Sequence, residues 1–332
     1  MAESNFSRHI VDMAEQELAA RRRKAEENRE AARAQVYAKV PEIKEIDREI
    51  RTAGLEAVRK TADGTGDKKM QTAFKNHINE LIKRKKELLK ENGFPPKFLD
   101  IKYKCSSCKD TGEKDGAYCK CRLDIIRRMT IEASGLSRNK FYNFNEFNLE
   151  YYSNDVSEHG ITARVNASKV LEYCINYKKG NIFFYGGTGL GKTFLSCCIA
   201  GKMLDEGKIV CYISAPRMFA IFNDDRFGKN QSDDIKRKID MIYSADYLVI
   251  DDLGTEFQSS FTESCLFDIV NSRLEDNLST IINTNISFEK LRENYSERVT
   301  SRIIGEYKLI KLFGEDIRRV KRKSGKKVSY NR

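Results

Sequence analysis

The sequence predicts an α/β fold with a parallel, doubly wound sheet, preceded by a helical region and a small cysteine-rich module. Three observations carry this. A glycine-rich loop lies between an apolar strand pattern and an apolar helix pattern at 181–200; strand and helix patterns alternate from there to residue 312; and four cysteines are paired in spacing at 105–121. The 332 residues suffice for about two domains. Apolar residues at 40% can supply a core, and charged residues at 33% make the surface very polar. The formal charge of +11 favours a polyanionic partner. The sequence shows no apolar signal-peptide region and no run of about 18 apolar residues, so a cytoplasmic protein without a membrane span is expected. Nine cysteines, clustered and odd in number, speak for thiols and metal rather than disulfides.

Residues 1–98 read as a helical, charged, partner-binding region. Ala, Glu, Lys and Arg dominate, Pro41 interrupts, and Thr61-Ala-Asp-Gly-Thr-Gly66 reads as a loop. Leu81, Ile82, Leu88 and Leu89 form an apolar stripe amid Lys83, Arg84, Lys85 and Lys86, the pattern of a bundle or coiled-coil seam. So long a charged arm needs a partner surface to be well ordered. Gly93-Phe-Pro-Pro96 ends the helical part.

Residues 99–128 read as a zinc module. Cys105-Ser-Ser-Cys108 is followed by ten residues and then Cys119-Lys-Cys121. Cys-x-x-Cys places two thiolates on one tight turn, Gly112 and Gly116 let the chain return with the second pair, and four soft ligands suit tetrahedral zinc. Four thiolates leave no open coordination position, which points to a structural metal. Cys174, Cys197, Cys198, Cys211 and Cys265 lie in apolar patterns and read as core. The linker, 129–165, is rich in Asn, Phe and Tyr. Its aromatics, at Lys140-Phe-Tyr-Asn-Phe-Asn-Glu-Phe-Asn148, suit either base stacking or wrapping over a nucleotide, and wrapping is preferred.

Residues 166–332 read as the α/β core. Strand candidates are 181–185, 209–213, 246–250, 279–284 and 307–312, with helical patterns between most of them. Gly186, Gly187, Thr188, Gly189, Leu190, Gly191, Lys192 and Thr193 fit G-x-x-x-x-G-K-[ST]. Glycines let backbone N–H groups close on phosphate oxygens, and the following helix N-terminus adds a favourable dipole. Lys192 would reach the β- and γ-phosphates of ATP, and the Thr193 hydroxyl would hold Mg2+. About 55 residues later, Tyr247-Leu-Val-Ile250 ends in Asp251 and Asp252, where a buried parallel strand delivers carboxylates to the nucleotide edge. Asp251 would bind the hydration shell of the Mg2+.

The loop, the segment Val249-Ile-Asp-Asp-Leu-Gly-Thr-Glu256 and Asn143-Phe-Asn-Glu-Phe-Asn148 together resemble the AAA+ ATPases of the DnaC/DnaI helicase-loader and IstB group. The cysteine knuckle resembles that of the loaders of Gram-positive bacteria and their phages. The resemblance covers roughly residues 100–320. It implies an N-terminal region that grips a hexameric, DnaB-type replicative helicase, and a core that binds ATP and single-stranded DNA and self-associates through its ATPase domains. Asp252 stands where many such ATPases carry a glutamate that orients the attacking water; it is one methylene shorter, so slow hydrolysis is expected. In Thr280-Ile-Ile-Asn-Thr-Asn285, Asn285 would be the γ-phosphate sensor, with Asn283 and Thr284 as alternatives. In Glu297-Arg-Val-Thr-Ser-Arg302, Arg302 is the first choice for the trans-acting arginine finger and Arg298 the second. In Gly314-Glu-Asp-Ile-Arg-Arg319, Arg318 would be the second sensor. The stretch after Arg319 leaves no room for a long C-terminal lid, as expected for the loader group. Basic residues at 321–327, and Arg226, Lys229, Lys236, Arg237 and Lys238, are candidates for DNA contact. An IstB-like helper of transposition shares the same core features, and a module that only binds ATP stays open beside both.

Overall fold

The computed structural model describes residues 5–62, 68–134, 142–228 and 232–323. The chain divides into two compact units, Gln16–Cys119 and Met1–Glu15 with Lys120–Arg332. The residues 63–66 of the expected loop, the start of the aromatic linker stretch and 324–327 of the basic tail lie outside the described residues.

The unit Gln16–Cys119 is built from most of α1 (Asn5–Lys39), α2 (Pro41–Ala62) and α3 (Lys68–Glu91), followed by the hairpin β1 (Glu113–Lys114) and β2 (Ala117–Tyr118). Pro41 opens α2, where a missing N–H is harmless and a fixed φ suits the first turn. Leu88 and Leu89 pack with Val36, Val40, Ile43 and Ile46, with Leu81 partly buried against them, so these three residues of the stripe form a bundle seam. Ile82 of the predicted stripe is exposed instead, because it falls on the solvent side of the helix. Above it, the Tyr37 hydroxyl donates to Asp47 at 2.8 Å and Lys85 pairs with Asp47 at 2.6 Å.

The other unit contains α4 (Lys120–Ser134), the hairpin β3 (Ser157–Glu158) and β4 (Ile161–Thr162), and then the alternating core. This core runs α5 (Ala163–Asn176), β5 (Ile182–Tyr185), α6 (Lys192–Asp205), β6 (Val210–Ser214), α7 (Ala215–Phe227), α8 (Asp233–Ser244), β7 (Tyr247–Leu253), α9 (Ser260–Glu275), β8 (Ser279–Thr284), α10 (Phe288–Asn294), α11 (Glu297–Glu306), β9 (Lys308–Lys311) and α12 (Ile317–Lys323). Each of the five expected strands forms within a few residues of its predicted span. They make one parallel sheet in the order β6-β7-β8-β5-β9. Ile182, Phe184, Val249, Ile281 and Ile310 share a cluster with Leu195, Ile199 and Met203 of α6. Phe183, Leu248, Ile250 and Ile282, which alternate with them, are also buried. Both faces are therefore covered, which explains why these strands read as continuous apolar runs.

The first residues of α1 belong with this core and not with the rest of the helical region. Ile10 and Ala14 are buried, the Ser7 hydroxyl donates to the Ser244 carbonyl at 3.4 Å, and Arg122 pairs with Glu15 at 2.5 Å.

Arg273 of α9 is fully buried, and among the described residues none of its hydrogen-bond partners is a carboxylate. Its guanidinium donates to Thr280 Oγ1 (3.0 Å) and to the carbonyls of Ile242, Tyr243 and Ser279 (3.0, 3.0 and 2.7 Å), tying α8, α9 and β8 together. Burial draws its pKa down to about 10. Arg273→Ala would leave these acceptors buried and unpaired, at about 1–3 kcal/mol for each that water does not reach. We expect a loss of about 3 kcal/mol or more in a urea melt; an unchanged midpoint would show that the acceptors are solvated without it.

Candidate functional site

The edge formed by the C-terminal ends of β5, β7 and β8 assembles the site. Beyond Tyr185 the chain enters the glycine loop. A Cβ on Gly186, whose φ is 129°, would lie 1.9 Å from the Leu312 carbonyl oxygen, so only glycine lets the loop leave the sheet here. Gly191 is the left-handed N-cap of α6 and supplies no side chain, so the first N–H groups of α6 are left for a ligand. The Tyr152 hydroxyl donates to the Leu190 carbonyl at 2.8 Å and pins the loop from outside.

Lys192 is 5% exposed, and its ammonium donates to the carbonyls of Gly186 (2.8 Å) and Gly187 (2.6 Å). Burial lowers its pKa to about 8, against the opposing pull of Asp252 and Asp251. Thr193 Oγ1 donates to Asp251 Oδ1 at 3.1 Å. Asp251 is buried and also accepts from Asn283 Nδ2 (2.8 Å) and the Tyr212 hydroxyl (3.0 Å). Asp252 lies within a register irregularity of β7 between Ile250 and Leu253, has φ 57° and is exposed. Asn285 Nδ2 donates to it at 3.4 Å. Partial desolvation of the Asp252 carboxyl group and then the neighbouring Asp251 raise its pKa. Thr193 and Asp251 thus form an oxygen pair beside the phosphate loop, a donor set that fits Mg2+.

A cavity of about 700 Å³ opens over these groups. Loop residues 188–193, Asp252, Asn285 and Arg318 line one part, and Tyr142, Phe147, Tyr151 and Tyr152 line another. Tyr142 stacks on Phe194 with ring centroids 4.7 Å apart, and Phe147 contacts both Phe194 (5.8 Å) and Tyr152 (5.5 Å). The linker aromatics thus stand as a wall of the cavity, the wrapping arrangement. Of the sensor candidates, Asn285 and Arg318 line the cavity, whereas Asn283 is buried beneath it and Thr284 Oγ1 donates to the Leu253 carbonyl at 2.7 Å.

Arg302 and Arg298 stand on α11 and do not line this cavity. Arg302 is half-buried: Nε donates to Asn271 Oδ1 at 2.9 Å and its guanidinium lies 4.5 Å over the Phe267 ring. Arg298 is exposed. The DNA-contact candidates are mixed. Arg226 stacks on Phe227 and Phe261, Lys238 pairs with Asp234, Arg237 donates to the Asp233 carbonyl, and Lys229 lies outside the described residues.

Sequence reasoning missed three groups. Tyr212 is a hydroxyl inside the apolar run Val210–Ser214, and a polar atom in a fully buried strand was the available signal. Glu256 is buried, accepts from Gly254 N and Gln258 Nε2 (both 2.9 Å), and takes a hydrogen bond from the Tyr295 hydroxyl. No spacing rule marks that pairing. Tyr152 gave no signal beyond membership of an aromatic stretch.

At the knuckle, the sulfurs of Cys105, Cys108, Cys119 and Cys121 all lie within 4.8 Å of one another. None of the nine cysteines forms a disulfide. Zn–S bonds of about 2.3 Å in a tetrahedron put sulfurs about 3.8 Å apart, and Cys105 and Cys119 are separated by 3.8 Å. Fully buried Asp110 accepts from the N–H groups of Lys104 (2.8 Å) and Cys105 (2.9 Å) and sets the turn that presents Cys105. The four residues fit zinc.

A glycine loop, a buried carboxylate beside its threonine, and a strand inserted between loop strand and acidic strand define an AAA+ P-loop ATPase core. Residues 142–324 match the family described as IstB-like ATP binding protein, and the chain belongs to that family. It is 28% identical over 139 residues to the replicative helicase loader DnaC of Escherichia coli K12, covering 41% of this chain and 56% of that one. It is 26% identical over 152 residues to an insertion-sequence ATP-binding protein of Sinorhizobium fredii NGR234, covering 43% and 58%. A crystal structure of the DnaC helicase loader aligns with a TM-score of 0.39 at 23% identity, over 51% of this chain and 98% of that one. The chain thus matches little more than half the length of these two relatives.

The Lys192 shift sets a pH dependence. Only the ammonium form attracts phosphate, and phosphate would in turn raise the amine's pKa, so with Lys192 as phosphate ligand nucleotide binding would take up a proton at pH above about 8. Affinity for a fluorescent ATP analogue is expected to be flat below pH 8 and to fall by up to about tenfold per unit above it. A profile flat to pH 9.5 would mean that Lys192 is not the phosphate ligand.

Proposed function

We propose that the chain is an ATP-controlled loader that places a hexameric, DnaB-type replicative helicase on single-stranded DNA at replication initiation. The observation that carries the reading is an IstB-like nucleotide site in one chain with a four-cysteine knuckle and a charged helical region. Similarity to a named replicative helicase loader supports it. In this reading the helical and zinc regions grip the helicase. The ATPase core engages single-stranded DNA and self-associates.

Lys192 and the first N–H groups of α6 would hold the β- and γ-phosphates. Bound magnesium would neutralise charge on those phosphates. Asp252, raised in pKa and aimed by Asn285, would accept the proton of the attacking water; its short side chain suits slow turnover. Arg318 lies over the cavity and would contact the γ-phosphate. Arg302 would be supplied to a neighbouring subunit's nucleotide, with Arg298 as second choice; Arg302 is engaged by Asn271 and Phe267, whereas Arg298 is exposed. No helix among the described residues is long and apolar enough to cross a membrane, which supports a cytoplasmic setting.

A second reading, an ATPase helper of transposition, is favoured by the family match and by the insertion-sequence relative. Light scattering after gel filtration, with the host replicative helicase and with or without ATP, separates the two. A defined complex supports the loader. No complex in either nucleotide state, with filaments on duplex DNA, supports the helper.

Two further outcomes are expected. Freshly purified protein should carry one zinc per chain by metal analysis, and chelation should weaken helicase binding; metal-free protein with full binding would remove zinc from the reading. Arg302→Ala should lower ATP turnover about a thousandfold while leaving nucleotide affinity intact. If Arg298→Ala does this and Arg302→Ala does not, the finger is Arg298.

A further inference from the structure

Asp251 makes more contacts than the nucleotide site requires. Its Oδ1 accepts from Thr193 Oγ1 (3.1 Å) and Asn283 Nδ2 (2.8 Å), and its Oδ2 accepts from the Tyr212 hydroxyl (3.0 Å). A carboxylate offers about four lone-pair directions, so three are filled. The donors are themselves locked. Asn283 Nδ2 also donates to Ser196 Oγ at 2.7 Å, and the Ser196 hydroxyl donates to the Thr193 carbonyl at 3.0 Å. Tyr212 Oη lies 3.2 Å from Ser196 Oγ, which closes a ring of contacts through Asp251.

Asn283, Tyr212 and Ser196 are each buried, at 1%, 7% and 0% exposure, and none lines the nucleotide cavity. They cannot touch a nucleotide in this arrangement. Asn285, two residues beyond Asn283 on the same strand, does line the cavity. The two asparagines therefore have separate tasks: Asn285 faces Asp252, and Asn283 faces Asp251.

We propose that Asn283 and Tyr212, with Ser196 accepting from Asn283 and holding it in place, form a clamp of neutral donors that fixes Asp251 as an outer ligand of the nucleotide's divalent cation and sets how much magnesium the site needs. With one lone-pair direction left, Asp251 accepts a hydrogen bond from metal-bound water and does not enter the inner coordination shell. The donors are uncharged, so the clamp orients the carboxylate without neutralising it. These are positioning residues. The inference rests on the reading that the site takes a magnesium nucleotide.

The test uses the full chain and a fluorescent ATP analogue, titrated first in EDTA and then with rising magnesium. In Tyr212→Phe, which removes one oxygen and keeps the ring, metal-free affinity should stay within about twofold. The magnesium concentration for half-maximal tightening should rise roughly tenfold, the scale of groups that orient metal ligands. Asn283→Ala should shift the same quantity in the same direction. Manganese binding to the nucleotide complex, followed by electron paramagnetic resonance, should weaken in parallel. Three results overturn the proposal. An unchanged magnesium midpoint in both variants removes the clamp alone. An equal loss of affinity with and without magnesium assigns both residues to folding. A wild-type protein whose nucleotide affinity ignores magnesium removes the cation site itself, and the clamp with it.

Discussion

Parallel pairing brings the C-terminal ends of all five strands to one edge, and the register at that edge determines what the chain can do. Phe184 pairs with Asn283, Ile250 with Ile282, and Ser214 with Asp251. Because β8 lies between β5 and β7, the glycine loop leaves the sheet beside the asparagine strand, and that strand adjoins the aspartates. The 3.1 Å bond from Thr193 to Asp251 spans this arrangement from α6 to β7. A one-residue slip of β8 would turn Asn283 and Asn285 to the other face of the sheet and leave Asp251 without its shortest hydrogen bond.

Much of this was legible in the sequence because the determinants are local. A phosphate loop needs glycines at fixed offsets, a buried strand needs a run of apolar residues, and a tetrahedral thiolate site needs cysteines on tight turns. Each is written within about twenty residues. What was not legible depends on strand order. Nothing in Thr280-Ile-Ile-Asn-Thr-Asn285 tells which asparagine meets which aspartate until β8 is known to lie against β7. The contacts of Arg302 with Asn271 and Phe267 depend likewise on α11 packing against α9, a pairing no periodicity announces. The first turns of α1, with Phe6, Ile10, Val11 and Met13, are more apolar than the Ala-, Glu- and Arg-rich stretch that follows, and Ile10 and Ala14 are buried in the unit that holds the core. This shift within one helix was a signal that the overall charge of the region hid.

Lys192 shows how the loop manages its charge. A buried ammonium is unfavourable without partners, and here two loop carbonyls solvate it. Its pKa of about 8 lies below that of an exposed lysine, so the charged form opposes folding below about pH 8 and this opposition eases as pH rises towards the unfolded value. A phosphate would reverse the balance by giving the ammonium a full counter-charge. The two loop carbonyls thus hold the ammonium at a point where a phosphate would be a stronger partner than either.

The turn at Asp252 places a similar local strain where it is useful. A non-glycine residue at φ 57° is disfavoured by roughly 1–2 kcal/mol, and the neighbours that hold it form a connected set. The Thr255 hydroxyl donates to the Asp252 carbonyl at 2.8 Å, and Gly254 N donates to Glu256. Glu256 in turn is bound by Tyr295, which caps α10 and immediately precedes the Ser296 N-cap of α11. The carboxylate aimed at the cavity and the helix that carries Arg298 and Arg302 are thus fixed by one buried polar cluster. Among the described residues, the hydrogen-bond partners of Glu256 are the neutral donors Gly254 N, Gln258 Nε2 and the Tyr295 hydroxyl. Such a cluster is stable only while all its donors stay in place. The geometry of the acidic turn and the seat of α11 therefore stand or fall together, although Tyr295 lies 43 positions after Asp252 in the chain.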